Sequence, residues 1–470
     1  MDNQPHVLIF PLPAQGHITP MLNLAQLFCQ ANFQVTFLIT SHSLERLTLY
    51  TDTKTRFAGY SGFRLEPIPN VLSWKQWTGS HNDDVMQWIT ESVLGLAVDA
   101  KPVLERLLKG CDVSCLIVDG YLRFAYDCAN EIGIPAISFR CPSACSVWTY
   151  FCVPNLVQLG EVPFQDEDMD KLVQNVPGMN TFLRNRDLPS FCRVKDKTTC
   201  LGLEQAFAAE IERSSQAYGL ILNTFEDLEG PVLSLLRSKC PRVYSIGPQH
   251  SHLKHNSSSS LQEVDQCCLS WLDKKPMESV IYVGFGSSTI LKRDQMIEIW
   301  EGLVQSNKYF LWVIRSDLVN GGENDLPTPV GLLEGTNARG CIVSWAPQEA
   351  VLAHPAVGGF LTHSGWNSTL ESISAGVPML CWPYFTDQQV NSRYVGEVWK
   401  IGLDMKDQCD RNVVAEMVND VLDGKKNELK ESMARMSEAA KRSVTQGGSS
   451  YCNLDRLIHD IKMMSTKGAD

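Results

Sequence analysis

Short apolar segments alternate with amphipathic helical segments along most of the chain, and this alternation restricts the fold more than any other feature. The first segment, His6–Phe10, is a continuous apolar run typical of a buried parallel strand. Thr19 and Pro20 suit the N-cap and the first position of a helix. The apolar face of that helix repeats at helical spacing and consists of Met21, Leu24, Ala25 and Phe28. A second apolar run, Val35–Ile39, completes a strand–helix–strand unit and predicts a parallel sheet.

The same alternation continues in both halves of the chain. Further apolar runs with the length of strands are Cys115–Val118, Ala136–Phe139, Leu220–Asn223, Val280–Val283, Phe310–Ile314, Ile342–Ser344 and Gly359–Leu361. Residues 249–264 are polar and lack an apolar period, which favours a linker. The sequence therefore predicts an α/β protein with two domains, residues 1–248 and 265–450. Residues 451–470 are predicted to form a C-terminal helix, which could pack back on the first domain.

The composition is that of a globular protein large enough for two domains. The chain has 470 residues, of which 44% are hydrophobic and 20% are charged. Its net charge of −12 argues against a nucleic-acid partner but leaves room for an anionic small ligand. The start of the sequence lacks the pattern of a secretory leader, and no apolar stretch has bilayer length. Sixteen scattered cysteines are typical of reduced thiols, so we expect a cytoplasmic protein.

Two residues at the ends of predicted strands carry acid–base chemistry. His17 lies in the loop after the first strand, and Asp119 directly follows the strand Cys115–Val118. Ligands bind at the carboxyl edge of open parallel sheets, and a carboxylate that orients an imidazole is the arrangement of a general base. From spacing alone, a structural histidine near a helix start and an aspartate that caps a turn are open alternatives.

The most specific signal lies between Trp345 and Gln388, where a predicted strand is followed by a turn and a helix. His363 and Asn367 lie where the helix would begin, and a helix N-terminus binds phosphate through its free N–H groups. Glu371 comes four residues after Asn367 on the same helix face, where a carboxylate can accept both hydroxyls of a ribose. A core of buried indoles is the alternative, but so many polar groups would make an expensive core. The cluster therefore favours a ligand pocket.

This region resembles the 44-residue signature of plant secondary-product UDP-glycosyltransferases. Further segments typical of that family extend the resemblance over nearly the whole chain: Pro11–His17, Asn223–Phe225, Leu228–Glu229 and Gly447–Ser450. The resemblance implies a GT-B fold, in which two Rossmann-like α/β domains face each other across a cleft. It also implies a UDP-glucosyltransferase, a hexosyltransferase for which UDP-glucose is a co-substrate and no metal or other cofactor is expected. In this family the last Gln of the signature usually accompanies UDP-glucose.

The resemblance also implies the roles of individual residues. His17 would be the catalytic base and Asp119 its partner. The donor would be bound by Ser287, Trp345, Ala346, Gln348, His363, Gly365, Trp366, Asn367, Ser368, Glu371, Asp387 and Gln388. Within this set Trp345 would stack on uracil, while Gln348 and Glu371 would bind the ribose.

The remaining donor residues divide between the diphosphate and the sugar. The diphosphate would contact Ser287, His363, Asn367 and Ser368. The sugar would contact Trp366, Asp387 and Gln388. UDP would leave as the acceptor oxygen attacks the opposite face, so that one displacement inverts the α-linked donor to a β-glucoside.

The acceptor is expected to be a small apolar aglycone with a hydroxyl or carboxyl group: a terpenoid or iridoid, a flavonoid or another phenolic. Candidate acceptor-binding residues are Gly16, Trp88, Phe124, Cys141 and Trp148, with core packing as the alternative for the aromatic ones. Cys141 stands where many members of the family carry a threonine, and a thiol is the weaker hydrogen-bond donor. Two alternatives remain open. The same reaction could use another UDP-sugar as donor, or the protein could be a non-catalytic sensor of nucleotide sugars or aglycones. A monomer without a nucleic-acid or membrane partner is expected.

One acidic run matches a metal-binding motif in its sequence. Asp166–Asp168 matches the DxD pattern of metal-dependent glycosyltransferases. It lies in a segment without apolar periodicity, where a solvated charge run is the simpler interpretation. We therefore expect no metal ligands there.

Overall fold

The structure is a computed structural model that describes residues 4–69, 85–195, 197–240, 242–253, 262–315 and 330–466. Seven strands form the first sheet: β1 His6–Phe10, β2 Gln34–Thr40, β3 Phe63–Ile68, β4 Cys115–Asp119, β5 Ala136–Arg140, β6 Gly219–Leu222 and β7 Val243–Ser245. Their order is β3-β2-β1-β4-β5-β6-β7, and all neighbouring strands are parallel. We call this sheet and its helices the first domain.

Six further strands form a second parallel sheet: β8 Val280–Gly284, β9 Tyr309–Val313, β10 Gly340–Val343, β11 Val357–Thr362, β12 Met379–Cys381 and β13 Gly402–Asp404. Their order is β10-β9-β8-β11-β12-β13, and we call this sheet and its helices the second domain. In each sheet the order reverses once, between β1 and β4 and between β8 and β11. Such reversal points are where open α/β sheets leave a crevice for a ligand.

Helices connect the strands and cover the sheets. Those before the second sheet are α1 Gln15–Gln30, α2 Ser41–Tyr50, α3 Thr53–Phe57, α4 Val85–Gly110, α5 Arg123–Ile132, α6 Ala144–Gln158, α7 Lys197–Gln216, α8 Glu226–Arg237, α9 Gln249–His252 and α10 Cys267–Leu272. The others are α11 Arg293–Gln305, α12 Val330–Arg339, α13 Gln348–Leu352, α14 Trp366–Ala375, α15 Gln388–Arg393, α16 Arg411–Asn419, α17 Lys426–Val444 and α18 Ser449–Thr466. Within the described ranges, none of them is long and apolar enough to cross a bilayer.

Each sheet is packed on both faces, which explains why its strands are continuous apolar runs. Along β1 the side chains alternate between two cores, with Val7 and Ile9 in one and Leu8 and Phe10 in the other. The strands of the second domain alternate in the same way. A strand buried on both faces favours apolar side chains at both alternations, and its few polar side chains need a buried partner. The prediction of two parallel α/β domains of Rossmann-like architecture is confirmed.

The start of α1 differs from the prediction. Ala14 is the N-cap, so the assignment of Thr19 to that position is wrong, and both Thr19 and Pro20 lie inside the helix. The backbone N–H groups of His17 and Ile18 donate to the Ala14 carbonyl at 2.9 Å, which closes the first turn. Pro20 is the sixth residue of the helix; its fixed φ is helical, but it has no N–H for the carbonyl four residues earlier. His17 consequently lies on the first turn of α1 and not in the preceding loop.

The last helix contacts the first domain. Leu454, Leu457 and Ile461 of α18 join the apolar core on one face of the first sheet. The Tyr244 hydroxyl at β7 donates to the Asp460 carboxylate at 2.6 Å. The chain therefore crosses from the second domain back to the first before it ends.

The polar segment between the domains is only partly described. Gln249 opens the short helix α9 and is fully buried. Residues 254–261, which make up half of the predicted linker 249–264, lie outside the described residues.

Candidate functional site

A cleft of about 500 Å³ lies between the carboxyl edges of the two sheets. The first domain contributes the residues that follow β1, β4 and β5, and the second domain contributes those that follow β8 to β12. Strand ends from both reversal points therefore meet in a single cavity.

His17 and Asp119 form a hydrogen-bonded pair at the first-domain side of this cleft. The His17 Nδ1 lies 2.6 Å from the Asp119 Oδ2. Asp119 ends β4 and is almost completely buried, whereas a fifth of the His17 side chain is exposed to the cleft. With Nδ1 held by the carboxylate, the other ring nitrogen, Nε2, is the one available to a ligand.

The surroundings of Asp119 favour its ionised form. Burial alone would raise the pKa of this carboxyl, but the His17 ring, the Tyr121 backbone N–H and the Arg140 guanidinium together lower it. The Tyr121 N–H donates to Oδ1 at 3.1 Å, which leaves Oδ2 for His17. An ionised, fixed carboxylate orients the imidazole and stabilises it once it takes up a proton.

The first turn of α1 also contacts the second domain. Pro20 has no N–H and so leaves the Gly16 carbonyl, four residues earlier, without its helical donor. The Asn367 side-chain amide of α14 donates to this carbonyl at 2.9 Å. The N-terminus of α14 is thereby held next to the residue that precedes His17.

The turn between β11 and α14 builds a pocket for an anion. Gly365 is the N-cap of α14, and the first N–H groups of the helix have no intrahelical partner. The His363 ring packs so closely against Gly286 and Gly365 that a Cβ at either position would overlap it. Burial and the nearby Arg315 lower the pKa of His363 to about 4. His363 is therefore neutral at pH 7, and its buried Nδ1 has no hydrogen-bond partner within the described residues.

A second polar group lies deeper in the cleft along α13 and α14. The Gln348 side-chain amide donates to the Glu371 Oε2 at 2.6 Å and to the Ser368 Oγ at 2.9 Å. Burial and the neighbouring Glu349 carboxyl raise the pKa of Glu371. Part of this carboxyl is protonated near neutral pH unless a ligand supplies hydrogen-bond donors to it.

The segment after β12 presents two further polar side chains to the cleft. The Gln388 Oε1 accepts from the backbone N–H groups of Tyr384 and Phe385, at 2.8 and 3.0 Å. This arrangement fixes the orientation of the amide, so its NH₂ group remains for the cleft. Asp387 accepts hydrogen bonds from Thr386 and from the Asn391 side-chain amide, and burial raises its pKa.

The structure brings most of the predicted site residues together. The cleft is lined by the predicted residues Gly16, His17, Trp88, Cys141, Ser287, Trp345, Ala346, Gln348, His363, Gly365, Trp366, Asn367, Ser368, Glu371, Asp387 and Gln388. Asp119 lies behind His17. The Trp366 indole is buried, and its Nε1 donates to the Asn223 carbonyl of the first domain at 2.8 Å. Its indole N–H is thus engaged in joining the domains.

Phe124 and Trp148 are not brought to the cleft. Phe124 packs edge-on against Phe10 in the core of the first domain. The Trp148 indole is buried and donates to the Pro177 carbonyl at 3.0 Å. Both side chains therefore lie in the core of the first domain. An aromatic residue in a helix next to a sheet can face the core as readily as it can face a pocket.

Arg315 lines the cleft but is absent from the predicted set. Its guanidinium donates to the carbonyls of Gly286 and Thr289 and so holds the loop that follows β8. The signal that could have identified it is its position directly after an apolar strand, the same signal that identified Asp119.

Two groups of side chains have the residue types of metal ligands. The acidic run Asp166–Asp168 forms a turn of 3₁₀ helix at the surface, where Asp166 pairs with Lys195 at 2.7 Å. The other group is His17, Asp119 and Cys141, whose ligand atoms all lie within 4.8 Å of one another. It coincides with the acid–base pair of the cleft.

Comparison with known proteins bears on the whole chain. The family described as "UDP-glucoronosyl and UDP-glucosyl transferase" matches residues 37–444. The chain is 48% identical over 474 residues to 7-deoxyloganetic acid glucosyltransferase from Catharanthus roseus, with 98% of each chain covered. It is 42% identical to myricetin 3-O-rhamnoside 1,2-glucosyltransferase from Crocosmia x crocosmiiflora, over 98% of this chain and 96% of the other.

The fold is also that of solved structures. The chain superposes with a TM-score of 0.81 on UGT71G1 of Medicago truncatula complexed with UDP-glucose, with 28% identity and 98% of each chain covered. The fold of the whole chain is therefore shared with a structure that contains a nucleotide sugar.

Proposed function

The chain belongs to the family of UDP-glucuronosyl and UDP-glucosyl transferases and has the GT-B fold, and we propose that it transfers glucose from UDP-glucose to a small apolar acceptor. The observation that carries the proposal is the contact between Asn367 and Gly16. It holds the anion pocket of α14 within one residue of the His17–Asp119 pair. A donor and an acceptor bound on the two sides of this contact would have their reacting atoms close together.

The first-domain pair supports activation of the acceptor. Because the His17 Nδ1–H donates to Asp119, the Nε2 lone pair faces the cleft and can take a proton from an acceptor hydroxyl. Asp119 then stabilises the imidazolium that forms. The deprotonated oxygen attacks the anomeric carbon from the first-domain side, and UDP leaves toward the second domain. One such displacement inverts the α-linked donor to a β-glucoside.

The α14 pocket supports departure of UDP. The free N–H groups of α14, the neutral His363 and the loop that contains Ser287 are donors for the diphosphate as negative charge develops on it. Because these are fixed protein donors, the proposed step needs no metal ion. UDP-sugar is accordingly a co-substrate, and the proposal includes no cofactor.

The remaining polar groups of the cleft support the roles that the family resemblance implies. Gln348 and Glu371 lie side by side, as a pair that binds adjacent ribose hydroxyls would. Trp345 and Ala346 line the cleft beside them and are proposed to bind the uracil. Asp387 offers acceptors and Gln388 a donor to the sugar hydroxyls.

The acceptor, the location and the assembly complete the proposal. An apolar aglycone of the terpenoid, iridoid, flavonoid or phenolic class is proposed, since the relatives act on molecules of this kind and Trp88 adds apolar surface to the cleft. All sixteen cysteines carry free thiols, as cysteines do in the reducing cytoplasm, where we place the enzyme. We propose that it acts as a monomer, with the domain limits 1–248 and 265–450.

Product formation from UDP-glucose and a panel of such aglycones, followed by mass spectrometry, tests the proposed reaction. In the His17→Ala variant, transfer to a hydroxyl acceptor should fall by about 10²- to 10⁴-fold, because the general base is lost. Its affinity for UDP, measured by calorimetry, should be kept, since the donor contacts lie in the second domain. His42→Ala, which changes an exposed histidine of α2, is the matched control and should leave both unchanged.

A carboxyl acceptor makes the test sharper. Such an acceptor is already ionised at neutral pH, so His17→Ala should slow it less than it slows a hydroxyl acceptor. A variant with full activity on a hydroxyl acceptor would exclude His17 as the base. Activity that is lost in excess EDTA and restored by Mn²⁺ would contradict the metal-free mechanism.

A further inference from the structure

Cys141 adds a third ligand atom to the His17–Asp119 pair. It directly follows β5 and lines the cleft, and its Sγ donates to the Asp119 Oδ2 at 3.7 Å. The same oxygen lies 2.6 Å from the His17 Nδ1. One nitrogen, one oxygen and one sulfur, each from the end of a different strand or its following helix, thus converge on one point at the cleft wall.

We propose that these three side chains bind a borderline-soft divalent cation such as Zn²⁺ and that the bound cation switches off sugar transfer. The inference rests on the proposed function, because it assigns inhibition to the residue proposed as the base. Imidazole, thiolate and carboxylate are the three ligand types of protein zinc sites. Three protein ligands with a fourth position for water are a known arrangement of protein zinc sites.

The distances from the Asp119 oxygen to the other two ligand atoms fit a tetrahedral site after a small movement, and all three ligand atoms lie within 4.8 Å of one another. With typical bond lengths to zinc, a bound sulfur and oxygen lie about 3.6 Å apart and a bound nitrogen and oxygen about 3.4 Å apart. The Sγ–Oδ2 distance of 3.7 Å already matches. The Nδ1–Oδ2 distance must open by somewhat less than 1 Å, and His17 is the member of the group with room to move because its side chain is 20% exposed.

Metal binding would block the base through its tautomer. In the unbound pair the ring proton is on Nδ1, which donates to Asp119, and Nε2 is the free base. A cation on Nδ1 needs that lone pair, so the proton moves to Nε2 and the ring remains neutral. The Cys141 thiol loses its proton to solvent and binds as thiolate, so each bound cation releases one proton. His17 then has no lone pair left for an acceptor proton, and Asp119 no longer orients it.

The ligand set also predicts which cations act. Sites with nitrogen and sulfur ligands prefer Zn²⁺ and Co²⁺, whereas Mg²⁺ and Mn²⁺ prefer all-oxygen sites. Zn²⁺ should therefore inhibit where Mg²⁺ at much higher concentration does not. The role is opposite to that of a metal cofactor, since removal of the cation leaves the enzyme active.

Direct binding can be measured without turnover by adding Co²⁺ to the full-length protein. A cobalt–thiolate bond gives a charge-transfer band in the near ultraviolet, and we expect this band in the wild type and its loss in Cys141→Ser. The matched control is Cys452→Ser, which removes an exposed thiol of α18 and should keep the band. A band that is missing in the wild type, or that survives in Cys141→Ser, would overturn the site whether or not the protein transfers glucose.

Inhibition is measured by titrating Zn²⁺ into the transfer assay, with each variant compared to its own uninhibited rate. Loss of the thiolate should raise the inhibitory concentration at least about tenfold in Cys141→Ser, given that even outer-shell changes weaken metal binding by 10- to 100-fold. Cys452→Ser should match the wild type. Unchanged UDP affinity in both variants would verify that they are folded. Equal inhibition of Cys141→Ser and wild type would contradict the proposal.

Discussion

At the scale of single residues, we expect the protonation of Glu371 to be coupled to nucleotide binding. Burial and the neighbouring Glu349 raise the pKa of this carboxyl, so in the free enzyme it is partly protonated near neutral pH. Ribose hydroxyls donate to the ionised form, so a bound ribose lowers the pKa again. UDP binding at pH 7 should therefore release protons, and the affinity for UDP should increase as the pH rises toward the pKa of the free enzyme.

Calorimetry of UDP binding in buffers of different ionisation enthalpy measures this release. Glu371→Gln keeps the size of the side chain but cannot titrate, so its proton release should be smaller than that of the wild type. Protons exchanged by the phosphates of UDP are the same in both proteins and cancel in the comparison. Identical release in the two proteins would mean that Glu371 does not contact the nucleotide.

Gln388 allows a second prediction for a single residue. Its Oε1 accepts from two backbone N–H groups, so replacement by Ala would also leave those groups unpaired. Gln388→Glu keeps an oxygen that can accept from those groups, replaces the NH₂ donor that faces the cleft with a second oxygen and, when ionised, adds a negative charge next to Asp387. The kcat/KM with UDP-glucose should fall by about 5- to 150-fold, the cost of a lost hydrogen bond of about 1–3 kcal/mol in a buried site.

The affinity for UDP alone should change less than kcat/KM in Gln388→Glu, because the sugar is absent from that ligand. The preference for UDP-glucose over UDP-galactose, measured as a ratio of kcat/KM values, should decrease. If both the rate and the ratio stay at their wild-type values, Gln388 does not contact the sugar.

At the scale of elements, the turn between β11 and α14 depends on the absence of a side chain. Gly365 has an ordinary φ of −61°, so a larger residue would meet no backbone strain. A Cβ there would, however, overlap the His363 ring. Gly365→Ala should displace His363 from the anion pocket and weaken UDP binding by roughly tenfold, an amount that corresponds to one hydrogen bond.

The matched control for this turn is Gly110→Ala at the end of α4. A Cβ at Gly110 would meet no atom within 4 Å, so this variant should bind UDP like the wild type. Circular dichroism and thermal unfolding would verify that both variants are folded. Wild-type affinity in Gly365→Ala would show that the position of the His363 ring is unimportant for the diphosphate.

The elements also show how far sequence can predict this fold. Strands such as β1 and β4 are buried on both faces, and their continuous apolar runs identify them within a residue. Four strands are missing from the sequence prediction. The strands β7, β12 and β13 have three residues each, and so short a run carries no period of its own. The fourth, β3, lies at the edge of its sheet and is interrupted by charged residues and a proline, so it is not a continuous apolar run. The start of α1 was misplaced because the best capping residue, Thr19, lies beyond the true N-cap.

The candidate site was more predictable than these boundaries. Parallel strands end at one edge, so residues that follow strands, such as His17, Asp119 and His363, must meet if the two domains face each other. Contacts between distant segments were beyond such reasoning. Local sequence spacing does not indicate the hydrogen bond between Asn367 and Gly16. It also does not indicate the hydrogen bond from Arg315 to the loop that follows β8.

At the scale of the whole molecule, the cleft exists because the two domains are fixed to each other by buried polar contacts. The Ser143 hydroxyl of the first domain donates to the Asn391 side chain of the second at 2.7 Å. The Lys406 ammonium of the second domain lies 2.9 Å from the Asp187 carboxylate of the first, and both are nearly inaccessible to solvent. Removing one partner of a buried ion pair costs about 3–5 kcal/mol when the other charge is left buried and unpaired. The Lys406 ammonium also lies 3.3 Å from the Asp404 carboxylate, so the loss of Asp187 should cost less than this.

Asp187→Asn should therefore destabilise the protein and lower its midpoint of thermal unfolding by a few degrees or more. Burial alone would raise the pKa of Asp187, but Lys406 and Arg184 lower it below its usual value. Its contribution to stability is thus fully present at neutral pH and is lost only as the pH falls through that lowered pKa. At pH 7 the difference between wild type and Asp187→Asn should be at its maximum, and it should shrink in strong acid.

The control is an ion pair of the same type at the surface. Asp166 and Lys195 lie 2.7 Å apart but are about 70% exposed, so Lys195→Ala should change stability by less than about 1 kcal/mol. Asp187→Asn should also slow glucose transfer more than it weakens UDP binding, because the acceptor and the base lie across the interface from the donor site. If Asp187→Asn were no more destabilising than Lys195→Ala, the buried pair would not be what fixes the two domains to each other. The same conclusion would follow if Asp187→Asn reduced only the affinity for UDP.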